Sequence, residues 1–177
     1  MLHYFAYGSN LHPIRLSERV PSANLVGTVE LPHHNLAFHK QSHDGSGKCN
    51  LLYTGDESDL IHGAIYSLDP EHKERLDYFE GNGLGYIDKP IKVHHQGKDY
   101  NCFTYFAQPS HIADHLQPYH WYKDLVLLGA RHLQFPDYYV SSIESVKSID
   151  DPNEKRRKEH DALINKIHLF RDNPLTG

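Results

Sequence analysis

The sequence predicts an α+β domain with a mixed, largely antiparallel sheet, and three observations predict it. Aliphatic and aromatic runs, punctuated singly by Gly, Pro, Asn or Ser, recur through the first 107 residues. Two of them, in YIDKPIKVHHQGKDYNCFTYFAQ, are joined at a turn where Gly97 supplies the reversal, which makes a hairpin. From about residue 117 the apolar residues change to a helical stripe. Strands first and helices last make a sheet curled around a cavity, with helices packed at one side.

Taken in order, residues 1 to 7 read as a buried strand. Gly8 then allows a backbone turn closed to residues with a Cβ, Ser9 or Asn10 caps a helix, and Pro13 falls in its first turn, where a missing N–H does no harm. SANLVGTVEL, HNLAFHK and CNLLYT suit further strands, with the loop SHDGSGK between the last two. LIHGAIYSLD is a strand before the short helix of DPEHKERLDYFEG, which Asp69 caps, Pro70 opens and Gly81 ends. YHWYKDLVLLGARHL is a helix stopping at Gly129, FPDYYVSSIESVKSI restarts after Pro136, and PNEKRRKEHDALINKIHLF forms a last helix. Residues 1–147 form the domain, and 148–177 are a helical extension, part of it or loosely attached.

The composition narrows the function classes. A net charge of −5, with the one dense basic run (EKRRKEH) interleaved with acids, opposes a nucleic-acid-binding role. Two cysteines, Cys49 and Cys102, without a CxxC pair give neither a disulfide scaffold nor a thiolate zinc site. No stretch has the ~18 apolar residues of a membrane span and no signal-peptide pattern opens the chain, so a soluble, cytoplasmic protein without membrane partners is expected. The sixteen histidines lack an HExxH or similar ligand spacing, and no metal site is expected. They do make the surface charge sensitive to mild acid.

Two places carry chemistry. A strand that stops abruptly on Gly-Ser-Asn before a helix leaves several N–H groups converging at the helix's positive end, which suits a carboxylate or phosphate. The same pattern also serves as an ordinary strand-to-helix connection. Glu80 ends a short helix behind Tyr78 and Phe79, where the helix C-terminus and an aromatic setting both raise a carboxyl pKa towards the range of an acid/base. Its plain alternative is a solvated surface carboxylate. Twelve tyrosines, among them Tyr86, Tyr105, Tyr119 and Tyr122, either line a polar pocket or fill core.

YFAYGSNL, then LDYFEG some seventy residues on, GY just beyond, and YKDLVLLGARHLQFPDYY late in the chain resemble, in this order, the gamma-glutamylcyclotransferase-like family over residues 3 to 146. The resemblance implies a mixed sheet curled into a partly closed barrel and cofactor-free cleavage of a γ-glutamyl amino acid or peptide to 5-oxoproline. It implies Glu80 as the catalytic carboxylate. It also implies Tyr4, Phe5, Ala6, Tyr7, Gly8, Ser9 and Asn10 as the loop holding the γ-glutamyl α-carboxylate and amine, with Tyr122, Tyr86 and Tyr105 as pocket tyrosines. GARHLQFPDYY is similar to the γ-glutamyl-amino-acid branch rather than the γ-glutamylamine branch, Phe135 standing where leucine is usual. A small γ-glutamyl substrate is the implied partner, and relatives make a homodimer an option. A γ-glutamylamine cyclotransferase and a non-catalytic metabolite-binding member stand as alternatives.

Overall fold

The computed structural model of the chain describes residues 1–172. Its main sheet has five strands in the order β2-β5-β1-β7-β6. These are β1 (Leu2–Ala6), β2 (Asn24–Pro32), β5 (Leu60–Leu68), β6 (Tyr86–His95) and β7 (Lys98–Ala107), while β3 (His34–Gln41) and β4 (Gly47–Tyr53) form a separate two-stranded sheet. β1 takes the centre because it has little polar surface to offer water: Tyr4, Phe5 and Ala6 are all buried, and β5 beside it is buried almost throughout. β1 pairs with β7 in parallel; the other pairings are antiparallel.

The sheet bends round without closing. β2 and β6 remain its edges. They approach nonetheless, and the His95 ring on β6 lies so near Gly27 on β2 that a Cβ there would stand 2.3 Å from Nε2. The β6–β7 hairpin turns at Gln96 and Gly97, both at positive φ, as the glycine predicts.

Five α-helices complete the described residues: α1 (Pro13–Arg19), α2 (Lys73–Glu80), α3 (His120–His132), α4 (Asp137–Glu144) and α5 (Glu154–Asp172). Three local expectations are corrected. α1 is capped by His12, whose Nδ1 accepts from the Ile14 N–H at 3.2 Å, and not by Ser9 or Asn10. Asp69 makes no side-chain cap, and a short 3₁₀ turn (Pro70–His72) leads into α2 instead. α3 does not stop at Gly129 but runs one turn further. The reason is contact: Leu11 and His12 press onto the helix at this point, and a Cβ on Gly129 would lie 2.4 Å from Leu11 Cβ.

α3 is buried over most of its surface, from Trp121 to Ala130, and thus forms the second layer of the core. α5 lies against it with Leu163 and Ile167 inside. The helix is tied by polar contacts as well. Asp151, buried, accepts from Trp121 Nε1 at 2.8 Å and takes both arms of Arg156 at 2.6 Å. His160 stacks on Trp121 with centroids 3.6 Å apart. None of the helices among the described residues is long and apolar enough to cross a membrane.

Candidate active site

The turn after β1 and the end of α2 meet at one pocket. Tyr4, Tyr7, Gly8, Ser9, Asn10, Glu80, Tyr86, Tyr105 and Tyr122 line a cavity of about 270 Å³, joined by Cys49 from β4. Phe5 and Ala6 do not line it; both are fully buried behind its wall.

Gly8 is needed here for close approach and not for a special φ, since its φ is not positive. A Cβ would meet Cys49 Cβ at 3.0 Å and Tyr122 Oη at 3.6 Å. The turn closes through a bond from Leu11 N to the Gly8 carbonyl at 3.1 Å, and the amides of Gly8, Ser9 and Asn10 make no backbone hydrogen bond among the described residues. They are donors held ready for an anionic or carbonyl oxygen.

Glu80 is held by two partners. Asn10 Nδ2 donates to its Oε1 at 2.8 Å and Arg19 Nη1 to the same oxygen at 2.6 Å, while Arg19 also donates to Asn10 Oδ1 at 3.0 Å. Both bonds land on Oε1, and Oε2 has no hydrogen bond among the described residues. The aromatic setting of Glu80 comes from the pocket tyrosines and not from its neighbours in sequence: Tyr78 is 82% exposed, and Phe79, itself exposed, serves as a platform for Arg19, 5.3 Å from its centroid. Asn10 Nδ2 also reaches Tyr4 Oη at 3.2 Å, so the turn, the carboxylate and β1 share one polar network.

The tyrosines divide by where their protons go. Tyr7 donates to the Tyr105 carbonyl at 2.5 Å, Tyr105 to Asp77 Oδ1 at 2.6 Å, and Tyr86 to the Cys49 carbonyl. These three are struts. Tyr4 instead accepts from Asn10, and Tyr122 accepts from Cys49 N at 3.0 Å. Their own protons have at most the weakly accepting Cys49 thiol to serve, beside Tyr122. Burial raises the pKa of both hydroxyls well above the phenol range, and the Cys49 thiol is pushed up to about 12 by burial, so all three stay protonated.

A second cleft of about 610 Å³ opens from the pocket and shares Ser9, Glu80, Tyr86 and Tyr122 with it. Arg15, Arg19, Lys40, Lys48, Arg156 and His160 line it, against the carboxylates of Asp44 and Glu80. The sequence marks Arg156 and His160 only as part of the basic run EKRRKEH and gives no sign of the other four, although Arg15 and Arg19 stand one helical turn apart after the Gly-Ser-Asn turn. Among the described residues one other carboxylate and histidine grouping, Asp69, Glu71 and His72, has donor atoms near one another. It is not part of this pocket, and His72 Nδ1 is engaged with Ser22 Oγ at 2.7 Å.

The family model described as gamma-glutamyl cyclotransferase, AIG2-like, matches residues 4–124, which span the Gly-Ser-Asn turn, Glu80 and the pocket tyrosines. The chain belongs to this family. A gamma-glutamylcyclotransferase of Mus musculus is 29% identical over 168 residues, 90% of this chain and 84% of that protein. The gamma-glutamylcyclotransferase of Homo sapiens is 27% identical over 172 residues, covering 92% and 87%. A solved structure titled gamma-glutamyl cyclotransferase superposes with a TM-score of 0.80 at 26% identity, over 93% of this chain and 98% of that one. The likeness thus extends past the matched domain into α4 and α5, and family membership makes the chain an enzyme.

Proposed function

We propose that the pocket cyclises a γ-glutamyl amino acid or peptide to 5-oxoproline, releasing the amino acid, with Glu80 carrying the protons. The observation that carries this reading is the meeting of the unpaired Gly8–Asn10 amides and the Glu80 carboxylate in one small cavity.

The reaction needs no protein nucleophile, because the substrate's own α-amine attacks its γ-carbonyl. Folding the chain so that these atoms come within ~3–3.5 Å is worth up to ~7–11 kcal/mol of barrier. The turn amides of residues 8 to 10 hold the α-carboxylate, and that fixes the amine beside it. At neutral pH the amine is mostly an ammonium, with a reference pKa of about 7.7–8.0, and must lose a proton before it attacks. Glu80 Oε2 accepts that proton while Asn10 and Arg19 hold the other oxygen in place.

As the ring forms, negative charge gathers on the γ-oxygen, and the O–H groups of Tyr4 and Tyr122 are the pocket phenols with protons to offer it. The new C–N bond closes the lactam, and the bond to the leaving nitrogen breaks as Glu80 returns a proton to it. The two protons shed by the ammonium equal the two that convert the leaving amide nitrogen into an ammonium, so no water is consumed.

Reduced, buried Cys49 and Cys102 support a reducing cytoplasmic setting, where the γ-glutamyl compounds of glutathione metabolism would be the substrate pool. Incubation with γ-glutamyl-alanine is expected to release 5-oxoproline and alanine in equal amounts. Free glutamate in place of 5-oxoproline would mean hydrolysis and would overturn the cyclisation.

A further inference from the structure

The cleft beside the catalytic pocket contains more buried positive charge than its own carboxylates neutralise. Three of its cations are spoken for: Arg19 by Glu80 at 2.6 Å, Lys48 by Asp44 at 2.8 Å, and Arg156 by Asp151 in a two-armed pair. Arg15 and Lys40 are not. Each is more than nine-tenths buried, and neither has an ion pair or side-chain hydrogen bond among the described residues. The Arg15 Nε is fully enclosed without a partner, and the Lys40 ammonium rests over the face of Tyr86, 4.5 Å from its centroid.

Glu80 and Glu18 act on Arg15, and Glu80 and Asp44 on Lys40, but none of these carboxylates pairs directly with either cation; buried charges without a direct partner are costly, so the cleft is better satisfied with anions bound. Both cations come from elements that adjoin the pocket: Arg15 from the helix after the Gly-Ser-Asn turn, Lys40 from the strand paired with β4. Neighbouring groups feel the excess. Burial and the nearby Arg15, Lys48 and Arg19 hold His160 down to about 4, so it adds no charge at neutral pH but reports a strongly positive setting.

We propose that this cleft binds the departing part of the substrate and selects leaving groups with two anionic charges, an amino acid with a side-chain carboxylate above all, Arg15 and Lys40 each pairing with one carboxylate. The inference rests on the cyclisation reading, since it assigns the head group to the inner pocket and the leaving amino acid to the outer cleft. A single α-carboxylate answers one cation and leaves the other bare. A leaving lysine brings a third positive charge into the cleft and is rejected.

γ-Glutamyl-glutamate and γ-glutamyl-glutamine form the decisive pair, equal in size and differing by one charge. Charge-assisted hydrogen bonds at a buried site lead to an expected preference in kcat/KM of tenfold or more for the glutamate compound, largely retained as salt is raised. Of Arg15→Met and Lys40→Met, one is expected to erase the preference and the other to slow both substrates alike, circular dichroism confirming that each variant is folded. Equal kcat/KM for the two substrates, or a preference surviving both substitutions, overturns the inference and leaves cyclisation standing. Turnover of neither would instead count against cyclisation. In that event calorimetric titration of the same pair decides the inference by itself: tenfold tighter binding of the glutamate compound supports it, and equal affinity ends it.

Discussion

Gly129→Ala separates two accounts of a glycine in the middle of a buried helix. In α3 the new methyl would lie 2.4 Å from Leu11 Cβ and 2.9 Å from the His12 backbone nitrogen. Comfortable contacts lie near 3.5–4.0 Å, so the Leu11–His12 segment must retreat by roughly 1 Å. Overpacking of this kind costs about 1–3 kcal/mol, and the better helix propensity of alanine returns about 1 kcal/mol of it. The expected result is a net loss of up to about 2 kcal/mol in urea denaturation. The segment that moves is continuous with the Gly8–Asn10 turn, and a displacement near 1 Å at a binding turn is expected to lower kcat/KM by about 10²-fold. If Gly129 merely weakened the helix, alanine would stabilise the protein by about 1 kcal/mol and leave activity alone. That outcome would refute the packing argument.

Two further predictions concern pH and the anchoring of α5. His160 is held near 4 against an unfolded value of about 6.5, so the unfolded chain takes the proton first and stability falls as pH drops from about 6.5 to about 4. His160→Phe keeps the stack on Trp121 without titrating; between pH 7.5 and 4.5 the wild type should lose on the order of 1 kcal/mol relative to it in denaturant titrations, solvent at the ring edge screening part of the effect. Parallel pH profiles would refute the burial of a neutral imidazole. Asp151→Asn breaks the pair with Arg156 and is expected to cost about 2 kcal/mol, less than a fully enclosed pair because Arg156 reaches solvent. The bonds from Arg156 hold the Asp151 carboxyl well below the usual carboxylate range, so its contribution is complete above an unfolded pKa of about 3.9 and fades below it. The gap in Tm between the two proteins should therefore narrow below about pH 4.

The parts of the fold legible in the sequence are those whose cause is local. The Gly97 hairpin, the Pro70 entry to α2 and the Gly81 stop each depend on residues adjacent in the chain. What escaped depends on partners distant in sequence. Gly129 reads as a stop signal until Leu11 is placed upon it, and Gly8 reads as a turn glycine until Cys49 is set opposite. His12 displaced the usual capping residues because a histidine Nδ1 accepts from the Ile14 amide as a Ser or Asn oxygen does. In the site, Glu80 and the Gly-Ser-Asn turn stood out as chemically odd for their positions, whereas Arg15, Arg19 and Lys40 looked like ordinary surface cations. Their burial comes from tertiary packing around the cleft, which no local pattern encodes. Tyr78 and Phe79 misled for the same reason: adjacency in sequence suggested an aromatic enclosure for Glu80, and the helix turns Tyr78 to solvent.

The central claim is that Glu80 moves the protons of an intramolecular cyclisation, and 5-oxoproline release by Glu80→Gln tests it most directly. Glutamine retains an oxygen for Asn10 and Arg19 to hold but cannot take a proton. The account predicts that the variant folds, binds γ-glutamyl-alanine with an affinity within about tenfold of the wild type's KM, and releases 5-oxoproline at least about 10²-fold more slowly. Release at the wild-type rate would contradict it.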